Sequence, residues 1–259
     1  MVEKLIDSMS GVCAAVLCGG VGSRLRPLTY YFQKAMIPVG SKQKPLLEYI
    51  ILLLRKNGVE NVNLLCGYKY QQIVNYFGSG ERFNVKINYI VDKKGFRGTG
   101  WAMVNAYEQG YFDGFGNILV YYGDILTNLN IRDLINYHEN SNSTATVAVS
   151  RGYRLPVGVA YIEGARIVRF EEKPLINIPV CIGIMILRRE AFKIMAEISR
   201  KYVNEEYDLM GHLIPELTNR GKLVYAYDTD ASWYDVGSTE KYEKLDNSFA
   251  DRLLEFLER

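Results

Sequence analysis

An apolar run that gives way to a glycine-rich loop is the feature that most constrains this chain. Residues 12–17 are typical of a buried strand, and the loop that follows has three glycines within four positions, at Gly19, Gly20 and Gly22. Glycines let a backbone approach a ligand closely, and successive N–H groups in such a turn can bind an anion. The basic residues that follow are Arg24, Arg26 and Lys34. A tight strand-to-helix turn would not need this combination, so the pattern favours a loop that binds a nucleoside triphosphate.

The composition limits the partners that such a loop could serve. The 259 residues suffice for one large α/β domain or two small ones, and the formal net charge of +2 is nearly balanced. There is no basic stripe and no run of about 18 apolar residues, so we expect neither nucleic acid nor a membrane as partner. The N-terminus carries Glu3 and Asp7 and lacks the apolar core of a signal peptide, which predicts a cytoplasmic protein.

Four cysteines lie in apolar, strand-like contexts without a C-x-x-C pair. We predict buried, reduced thiols rather than a metal site or a disulfide framework. These cysteines are Cys13, Cys18, Cys66 and Cys181.

Apolar runs alternate with helical segments along the chain. A helix over 44–57 lies between strands at 12–17 and 61–66, and such a βαβ unit implies parallel strands with a right-handed connection. Near 150–190 the pattern changes to short strands, which predicts an inserted β-rich part. We therefore predict one compact α/β domain with a Rossmann-like, mixed and mainly parallel sheet flanked by helices.

The end of the chain predicts further helices. One helix is expected over 208–219. Another is expected over 239–257, where apolar residues recur with heptad-like spacing at Tyr242, Leu245, Phe249, Leu253 and Phe256. The apolar face of this terminal helix could pack on the core or on a second copy of the chain, so a homo-oligomer is open.

Two carboxylates follow predicted strands, where ligands bind in open α/β sheets. Asp124 follows an apolar strand at 118–122 through one glycine, and Asp235 closes a short aromatic strand. Each alone would fit a turn or a helix N-cap equally well. Together with the glycine loop, they match a Mg²⁺ site for nucleotidyl transfer, because Mg²⁺ prefers a few carboxylates plus phosphate oxygens. Lys173, in Glu172-Lys-Pro174, could serve a second phosphate, although a surface turn would look the same.

These motifs together make the chain resemble the sugar-1-phosphate nucleotidylyltransferases over about residues 12–240, most closely the glucose-1-phosphate thymidylyl- and uridylyltransferases. The resemblance implies the nucleotide-diphospho-sugar transferase fold. It divides the chain into a nucleotide half (about 12–125), a small β-rich sugar-binding half (about 126–238) and the terminal helix. The matching motifs are Gly19-Gly-Val-Gly-Ser-Arg-Leu-Arg-Pro-Leu-Thr29, Lys34, Ile37-Pro-Val39, Pro45-Leu-Leu-Glu-Tyr49, Gly67-Tyr68, Tyr76-Phe-Gly78, Gly98-Thr99, Gly123-Asp124, Glu172-Lys-Pro174, Gly183 and Trp233-Tyr-Asp-Val-Gly237.

The resemblance also implies roles for single residues. Arg24 would hold the β- and γ-phosphates, Lys34 would neutralise the α-phosphate, and Asp124 and Asp235 would bind Mg²⁺. Lys173 would hold the phosphate of a sugar 1-phosphate, whose oxygen attacks the α-phosphorus in line and releases pyrophosphate. The implied nucleotide-binding residues are Leu17, Gly19, Gly20, Gly22, Ser23, Arg24, Asp92, Gly98 and Thr99. The implied sugar-phosphate-binding residues are Gly158, Glu172, Lys173, Cys181 and Gly183.

The chain departs from the family pattern at several positions. Gln33-Lys-Ala35 stands where the family has Pro-Lys-Pro, which leaves the lysine loop with less built-in rigidity. Cys181 replaces an asparagine that often binds sugar hydroxyls, and Trp101 adds bulk on the base side. The base-side residue Asp92 can only accept hydrogen bonds when ionised, which favours UTP, dTTP or GTP over ATP or CTP, unless Asp92 is simply exposed. Glucose 1-phosphate is the default sugar, and mannose 1-phosphate with GTP stays open.

Two other functions compete with this interpretation. A dinucleotide-dependent oxidoreductase would need G-x-G-x-x-G, but Leu25 stands at the last glycine. A regulatory or sugar-nucleotide-sensing paralogue would be compatible with the changes at Ala35, Trp101 and Cys181. Against that alternative, all five charged residues of the implied catalytic set are present. They are Arg24, Lys34, Asp124, Lys173 and Asp235.

Overall fold

The structure of the protein is a computed structural model that describes residues 11–93 and 95–258. The N-terminal stretch with Glu3 and Asp7, on which the prediction of a cytoplasmic location rests, lies outside the described residues. Among the helices that are described, none is both long enough and apolar enough to cross a membrane.

A twisted sheet forms the centre of the molecule. The strands of the described residues are β1 (Val12–Cys18), β2 (Pro38–Val39), β3 (Lys44–Pro45), β4 (Asn61–Cys66), β5 (Lys86–Val91), β6 (Asn117–Tyr122), β7 (Ile125–Thr127), β8 (Ala145–Ser150), β9 (Tyr153–Arg154), β10 (Val159–Glu163), β11 (Arg166–Glu171), β12 (Leu175–Ile176), β13 (Val180–Arg188), β14 (Val224–Asp228) and β15 (Trp233–Asp235). Seven of these form the central sheet in the order β14-β8-β13-β6-β1-β4-β5. Neighbouring strands are parallel except at β13, which runs antiparallel to both β6 and β8. The predicted mixed, mainly parallel sheet is confirmed.

Helices cover both faces of this sheet. They are α1 (Leu46–Lys56), α2 (Gln71–Phe77), α3 (Thr99–Glu108), α4 (Ile131–Asn140), α5 (Arg189–Ser199), α6 (Ile214–Asn219), α7 (Thr239–Glu243) and α8 (Asn247–Glu258). The central strand β1 shows why both layers are needed. Ala14 and Val16 belong to one apolar cluster, whereas Cys13 and Ala15 belong to another. Because side chains alternate along a strand, a strand that is apolar throughout must be covered on both faces.

The predicted helix over 44–57 begins later than expected. Pro45 lies in the extended region, with φ −54° and ψ 138°, and pairs with Pro38 in the β2–β3 ribbon. The helix therefore starts at Leu46. From there to Leu54 every residue is buried, Glu48 included.

The prediction of one terminal helix over 239–257 was wrong. The chain forms α7, breaks after Glu243 and starts again as α8. Asp246 provides the new start, because its side chain accepts a hydrogen bond from the Ser248 backbone N–H at 2.9 Å. The restart changes the buried face, so Leu254 and Leu257 are buried while Phe256 is 44% exposed. The heptad pattern placed Phe256 on the wrong side.

Two further expectations need correction. The helix predicted over 208–219 begins as a π-helical turn, Leu209–Leu213, before α6. The inserted β-rich part is smaller than 150–190, since β13 leaves it to join the central sheet beside β6. What remains is an antiparallel hairpin of β10 and β11 and the short β9–β12 pair.

The cysteine prediction is confirmed for three residues and wrong in one respect for the fourth. Cys13, Cys18 and Cys66 are buried and all four cysteines are free, but Cys181 is exposed. Cys181 lies beside the irregular register between β13 and β8, where the strand leaves the covered part of the sheet.

Candidate active site

The carboxyl ends of β1 and β6 and the residues after β5 open onto a cavity of about 530 Å³. This is the edge of the sheet at which open α/β folds bind ligands. The predicted residues that line the cavity are Leu17, Gly19, Gly20, Lys34, Asp92, Gly98, Thr99 and Asp124. They come from four separate segments of the nucleotide half, and the parallel strands bring them to one place.

The glycine loop has little room for side chains. Gly22 adopts φ 65° and accepts a hydrogen bond from the Thr29 hydroxyl at 2.9 Å. A Cβ atom there would lie 2.9 Å from the Thr29 methyl group, so both conformation and space require glycine. At Gly19 a Cβ atom would lie 2.2 Å from Asp92 Oδ2. The loop can therefore pass directly over the end of β5 only because Gly19 has no side chain.

Asp92 is the one described residue with a buried side-chain oxygen or nitrogen, Oδ1, that has no hydrogen-bond partner. Burial raises the pKa of this carboxyl group to about 6, because the charged form loses hydration without gaining a partner. A buried polar atom without a partner costs free energy unless a ligand satisfies it. Asp92 is one of the residues that line the cavity, so its carboxyl group is a candidate hydrogen-bond acceptor for a ligand bound there.

Lys34 and Asp124 form an ion pair within the cavity. Lys34 lies on a 3₁₀ turn after the loop, and Asp124 follows β6 through Gly123. Both side chains are less than one-fifth exposed, at 17% and 18%. A cation held at low exposure beside the glycine loop is suited to a phosphate group.

Asp235 lies next to Asp124 although 110 residues of sequence separate them. β15 pairs with β7 in antiparallel register, and the Val236 N–H donates to the Asp124 carbonyl at 2.8 Å. The Asp235 carboxylate forms an ion pair with Lys241. Lys241 lies on α7, and nothing in the sequence indicated that it would reach this site.

The Asp124 and Asp235 carboxylates are of the kind that a Mg²⁺ ion would use together with substrate oxygens, although Asp235 is not among the residues that line the cavity. In residues 11–93 and 95–258 no three His, Cys, Asp or Glu side chains come together as ligands. A pair of carboxylates at adjacent strand ends is nevertheless the set that Mg²⁺ uses when phosphates supply the other ligands.

Ser23 and Arg24 are exposed and do not belong to the cavity wall. Their 3₁₀ turn is held by α7, because the Thr239 hydroxyl lies 3.2 Å from both the Arg24 and Arg26 carbonyl oxygens. Gly22 likewise is not among the residues that line the cavity.

The implied sugar-phosphate-binding residues divide into two groups. Gly183 has φ 76° and packs against Tyr122, because a Cβ atom on Gly183 would lie 3.2 Å from the Tyr122 Cβ atom. Tyr122 in turn lines the cavity. The Cys181 sulfur accepts from the Gly183 N–H at 3.4 Å, so these two residues lie together.

The other group lies on the hairpin, outside the cavity wall. Gly158 is close to Glu172, since a Cβ atom would lie 2.9 Å from Glu172 Oε2. Lys173 Nζ is 3.8 Å from Glu172 Oε1, and both side chains are more than half exposed. The structure thus brings the nucleotide-side candidates together more tightly than the sugar-side candidates.

Glu206 and Asp208 were not predicted from the sequence, yet they line the cavity from the far end of the chain. Asp208 Oδ1 accepts from both the N–H and the hydroxyl of Thr99, each at 3.0 Å. A Cβ atom at Gly98 would lie 2.4 Å from the Tyr207 carbonyl oxygen, and Trp101 Nε1 donates to the Glu205 carbonyl at 3.3 Å. Trp101 thus helps to hold the segment that carries Glu206 and Asp208. Its unusual bulk was the feature of the sequence that could have indicated this contact.

Both histidines lie in hydrogen-bond networks away from the ion pairs. His138 is buried among Thr146, Ser143 and Asn117, and burial lowers its pKa to about 4. His212 Nδ1 accepts from the Asp208 N–H at 2.9 Å. These contacts support the prediction that the histidines are structural.

Comparisons with known proteins place this geometry in a family. A UTP–glucose-1-phosphate uridylyltransferase of Synechocystis is 28% identical over 88% of this chain, and the chain spans 61%, about three-fifths, of that relative. A D-glycero-alpha-D-manno-heptose 1-phosphate guanylyltransferase of Aneurinibacillus thermoaerophilus is 27% identical over 89% of this chain and 95% of its own.

A solved structure from Bacillus anthracis, described as a glucose-1-phosphate thymidylyltransferase in complex with sucrose, has the same fold. Its TM-score is 0.73, with 24% identity over 92% of this chain and 95% of its own. The sequence profile of the family described as nucleotidyl transferase matches residues 13–252, which include every implied site residue. The chain therefore belongs to the nucleotidyl transferase family, as its motifs predicted.

Proposed function

We propose that the protein joins a nucleoside triphosphate to a sugar 1-phosphate and releases pyrophosphate. The Lys34–Asp124 ion pair beneath the glycine loop is the observation that carries this proposal. In the reaction an oxygen of the sugar phosphate forms a bond to the α-phosphorus. The bond from that phosphorus to the oxygen bridging to the β-phosphorus breaks, and its electron pair leaves with pyrophosphate.

The residues of the site act by position and charge. The Gly19 and Gly20 N–H groups would bind the triphosphate, and Lys34 would neutralise the α-phosphate as charge develops on it. The sugar phosphate is already anionic at neutral pH, so its attack needs no general base. Both histidines lie outside this set, which agrees with such a mechanism.

Asp124 and Asp235 would hold Mg²⁺, which supplies charge neutralisation at phosphate oxygens when it is bound. In the structure, Lys34 and Lys241 form ion pairs with these two carboxylates. Both lysines therefore become available to phosphate oxygens when the carboxylates take another cation.

Asp92 supports UTP, dTTP or GTP as the nucleotide. With a pKa of about 6, its carboxylate is mainly ionised at neutral pH and accepts hydrogen bonds only. Uracil and thymine offer N3–H, and guanine offers N1–H and an amino group. The ring nitrogens of adenine and cytosine at this edge only accept, so these bases would offer the carboxylate their exocyclic amino group alone.

Glucose 1-phosphate is the first candidate sugar, in line with the uridylyltransferase relative. A guanylyltransferase acting on another sugar 1-phosphate, such as mannose 1-phosphate, is the second candidate. It is supported by the guanylyltransferase relative, which matches over 95% of its own length. A cytoplasmic location and assembly into a homo-oligomer stay predictions from the sequence.

Pyrophosphate release tests the proposal directly. Five nucleoside triphosphates should be combined with glucose 1-phosphate, mannose 1-phosphate and other sugar 1-phosphates, with Mg²⁺ and with a chelator. We expect turnover with UTP, dTTP or GTP and at least one sugar, lost on chelation. Preference for ATP or CTP would contradict the role of Asp92. Nucleotide binding without turnover in any combination would instead establish a regulatory, sugar-nucleotide-sensing protein.

A further inference from the structure

Gln33 occupies a position where the family resemblance calls for proline, and the structure shows what it does there. Its side chain is 1% exposed and lies between the end of β1 and the turn that carries Lys34. The Gln33 backbone has φ −65° and ψ 143°, which is the conformation that a proline ring would impose. The turn therefore has a proline-like conformation without the ring that fixes it.

Hydrogen bonds replace the ring. Gln33 Oε1 accepts from the Ala35 N–H at 2.6 Å, which caps the 3₁₀ turn containing Lys34. Gln33 Nε2 donates to the Cys18 carbonyl oxygen at 2.5 Å. The orientation of the amide is determined by its partners, because a carbonyl oxygen can only accept and a backbone N–H can only donate.

The bond to Cys18 is one that proline could not make. Cys18 is the last residue of β1, directly before Gly19, so this bond ties the start of the glycine loop to the lysine turn. The Gln33 N–H also donates to Gln72 Oε1 at 2.6 Å, and Gln72 Nε2 donates to the Tyr31 carbonyl at 2.7 Å. Gln33 thus connects the end of β1, the lysine turn and α2, of which the first two line the cavity.

We propose that Gln33 is a positioning residue, which sets the distance between the Lys34 amine and the glycine loop through its bond to Cys18. The inference rests on the proposed function, in which Lys34 must meet the α-phosphate of a nucleotide held by that loop. A small displacement of a charged group from the reacting atoms can reduce turnover about 100-fold. Both halves of this tether are buried, so water does not compete for them.

Two variants separate the tether from the shape of the turn. Gln33→Met keeps the length of the side chain and removes both side-chain bonds. Gln33→Pro restores the family residue and its φ but still lacks the bond to Cys18. Gln72→Ala is the matched control, since it removes the partner of the Gln33 N–H, the other bond that proline eliminates.

The steady-state constants for the wild-type pair of substrates are the first readout, measured well below each variant's unfolding temperature. We expect kcat to fall 10- to 100-fold in both Gln33 variants, with KM for the nucleotide changed less than about threefold and Gln72→Ala close to wild type. A wild-type kcat in Gln33→Pro would overturn the proposal, because turn shape alone would then suffice.

Trace acetylation of lysines, followed by mass spectrometry, tests the same proposal without turnover. Lys34 is 17% exposed and paired, so it should react slowly in the wild type. We expect it to react several-fold faster in Gln33→Met, while Lys193 on the exposed face of α5 reacts equally in both proteins. Unchanged Lys34 reactivity would overturn the positioning role. Absence of wild-type turnover would instead count against the proposed function, and the labelling result would stand apart from it.

Discussion

The nucleotide half and the sugar-binding half hold their candidate residues in different ways. In the nucleotide half, Lys34, Asp92 and Asp124 line one cavity beside buried elements of the fold. Glu172 and Lys173 follow a hairpin whose residues are exposed on both faces, with Ile162 at 61% and Phe170 at 58% exposure. A two-stranded ribbon alone is marginally stable in water, whereas a covered sheet is rigid. The proposed phosphate-transfer residues thus lie in a well-packed part of the fold, and the proposed sugar-binding residues lie on a part with little packing of its own.

The largest effect should come from the rigid side. Asp124→Asn keeps the size of the side chain but removes the charge that pairs with Lys34 and would hold Mg²⁺. We expect kcat to fall about 1000-fold with little change in unfolding temperature, measured by pyrophosphate release and thermal denaturation. Asp228→Asn, which affects an exposed ion pair with Arg151, is the control and should keep full activity. Undiminished turnover in Asp124→Asn would remove Asp124 from the site.

A smaller and different effect should come from the hairpin side. Lys173→Ala removes an exposed cation that is expected to meet only the sugar phosphate. We expect KM for the sugar 1-phosphate to rise about 10- to 100-fold, because the variant loses one charge-assisted hydrogen bond to the substrate. Nucleotide affinity should stay unchanged. Titration calorimetry with nucleotide and initial rates with sugar phosphate separate the two. The exposed Lys193→Ala should change neither, and an equal loss of nucleotide affinity in Lys173→Ala would show that the two halves share one site.

Asp92 should show that a buried carboxyl group in the nucleotide half costs stability. Its pKa is raised from 3.8 to about 6, so folding favours the protonated form and stability is lost as pH rises from about 4 to about 6. Asp92→Asn removes this charge and should be more stable than wild type above pH 6, by at most about 3 kcal/mol. The difference should vanish near pH 4.

The same variant should weaken base discrimination about tenfold, since an amide both donates and accepts. Denaturant titrations at pH 4 and pH 8 and competition between UTP and CTP measure the two effects. A variant less stable than wild type at pH 8 would mean that the carboxylate has a partner after all.

The smallest effect compares one substitution in the two regions. Ile118→Val removes a buried methylene from β6 and should cost about 1 kcal/mol of unfolding free energy. Ile167→Val removes the same group from β11, which is 58% exposed there, and should cost less than about 0.5 kcal/mol. Equal costs in a denaturant titration would show that the hairpin is covered in solution, for instance by a second copy of the chain.

The sheet and most of its strands were predictable because the signals are local. A run such as β4, bounded by Gly67, can be recognised from its own residues, and the βαβ unit gives the direction of its neighbours. The restart of the terminal helix at Asp246 was not recognised, because heptad spacing runs through the break. The late start of α1 had a similar cause, since Pro45 fits a first helical turn as readily as the strand that it forms.

Part of the set of residues around the cavity was predictable, but their geometry was not. Gly19, Lys34 and Asp124 were named from their order in the chain, and the cavity contains all three. Asp208 was missed because it is held at the cavity by hydrogen bonds to Thr99, more than 100 residues away, and Glu206 because it lies in the same distant segment. Bulky Trp101 was a local signal, but it did not indicate which segment it would contact.

The amino-acid sequence alone determined the class of the protein: an α/β sheet with a glycine loop and charged residues in the order of the nucleotidyl transferase family. Each of these features is a short motif or a periodic pattern of apolar residues. Such features can be recognised from the amino-acid sequence without knowledge of the tertiary structure. The tertiary structure decided which groups share one environment. It buried an Asp92 side-chain oxygen without a hydrogen-bond partner and formed the ion pairs Lys34–Asp124 and Lys241–Asp235. It also joined the lysine turn to β1 through the hydrogen bond from Gln33 to Cys18. Burial and pairing depend on segments that are distant in the chain, and only folding brings them together.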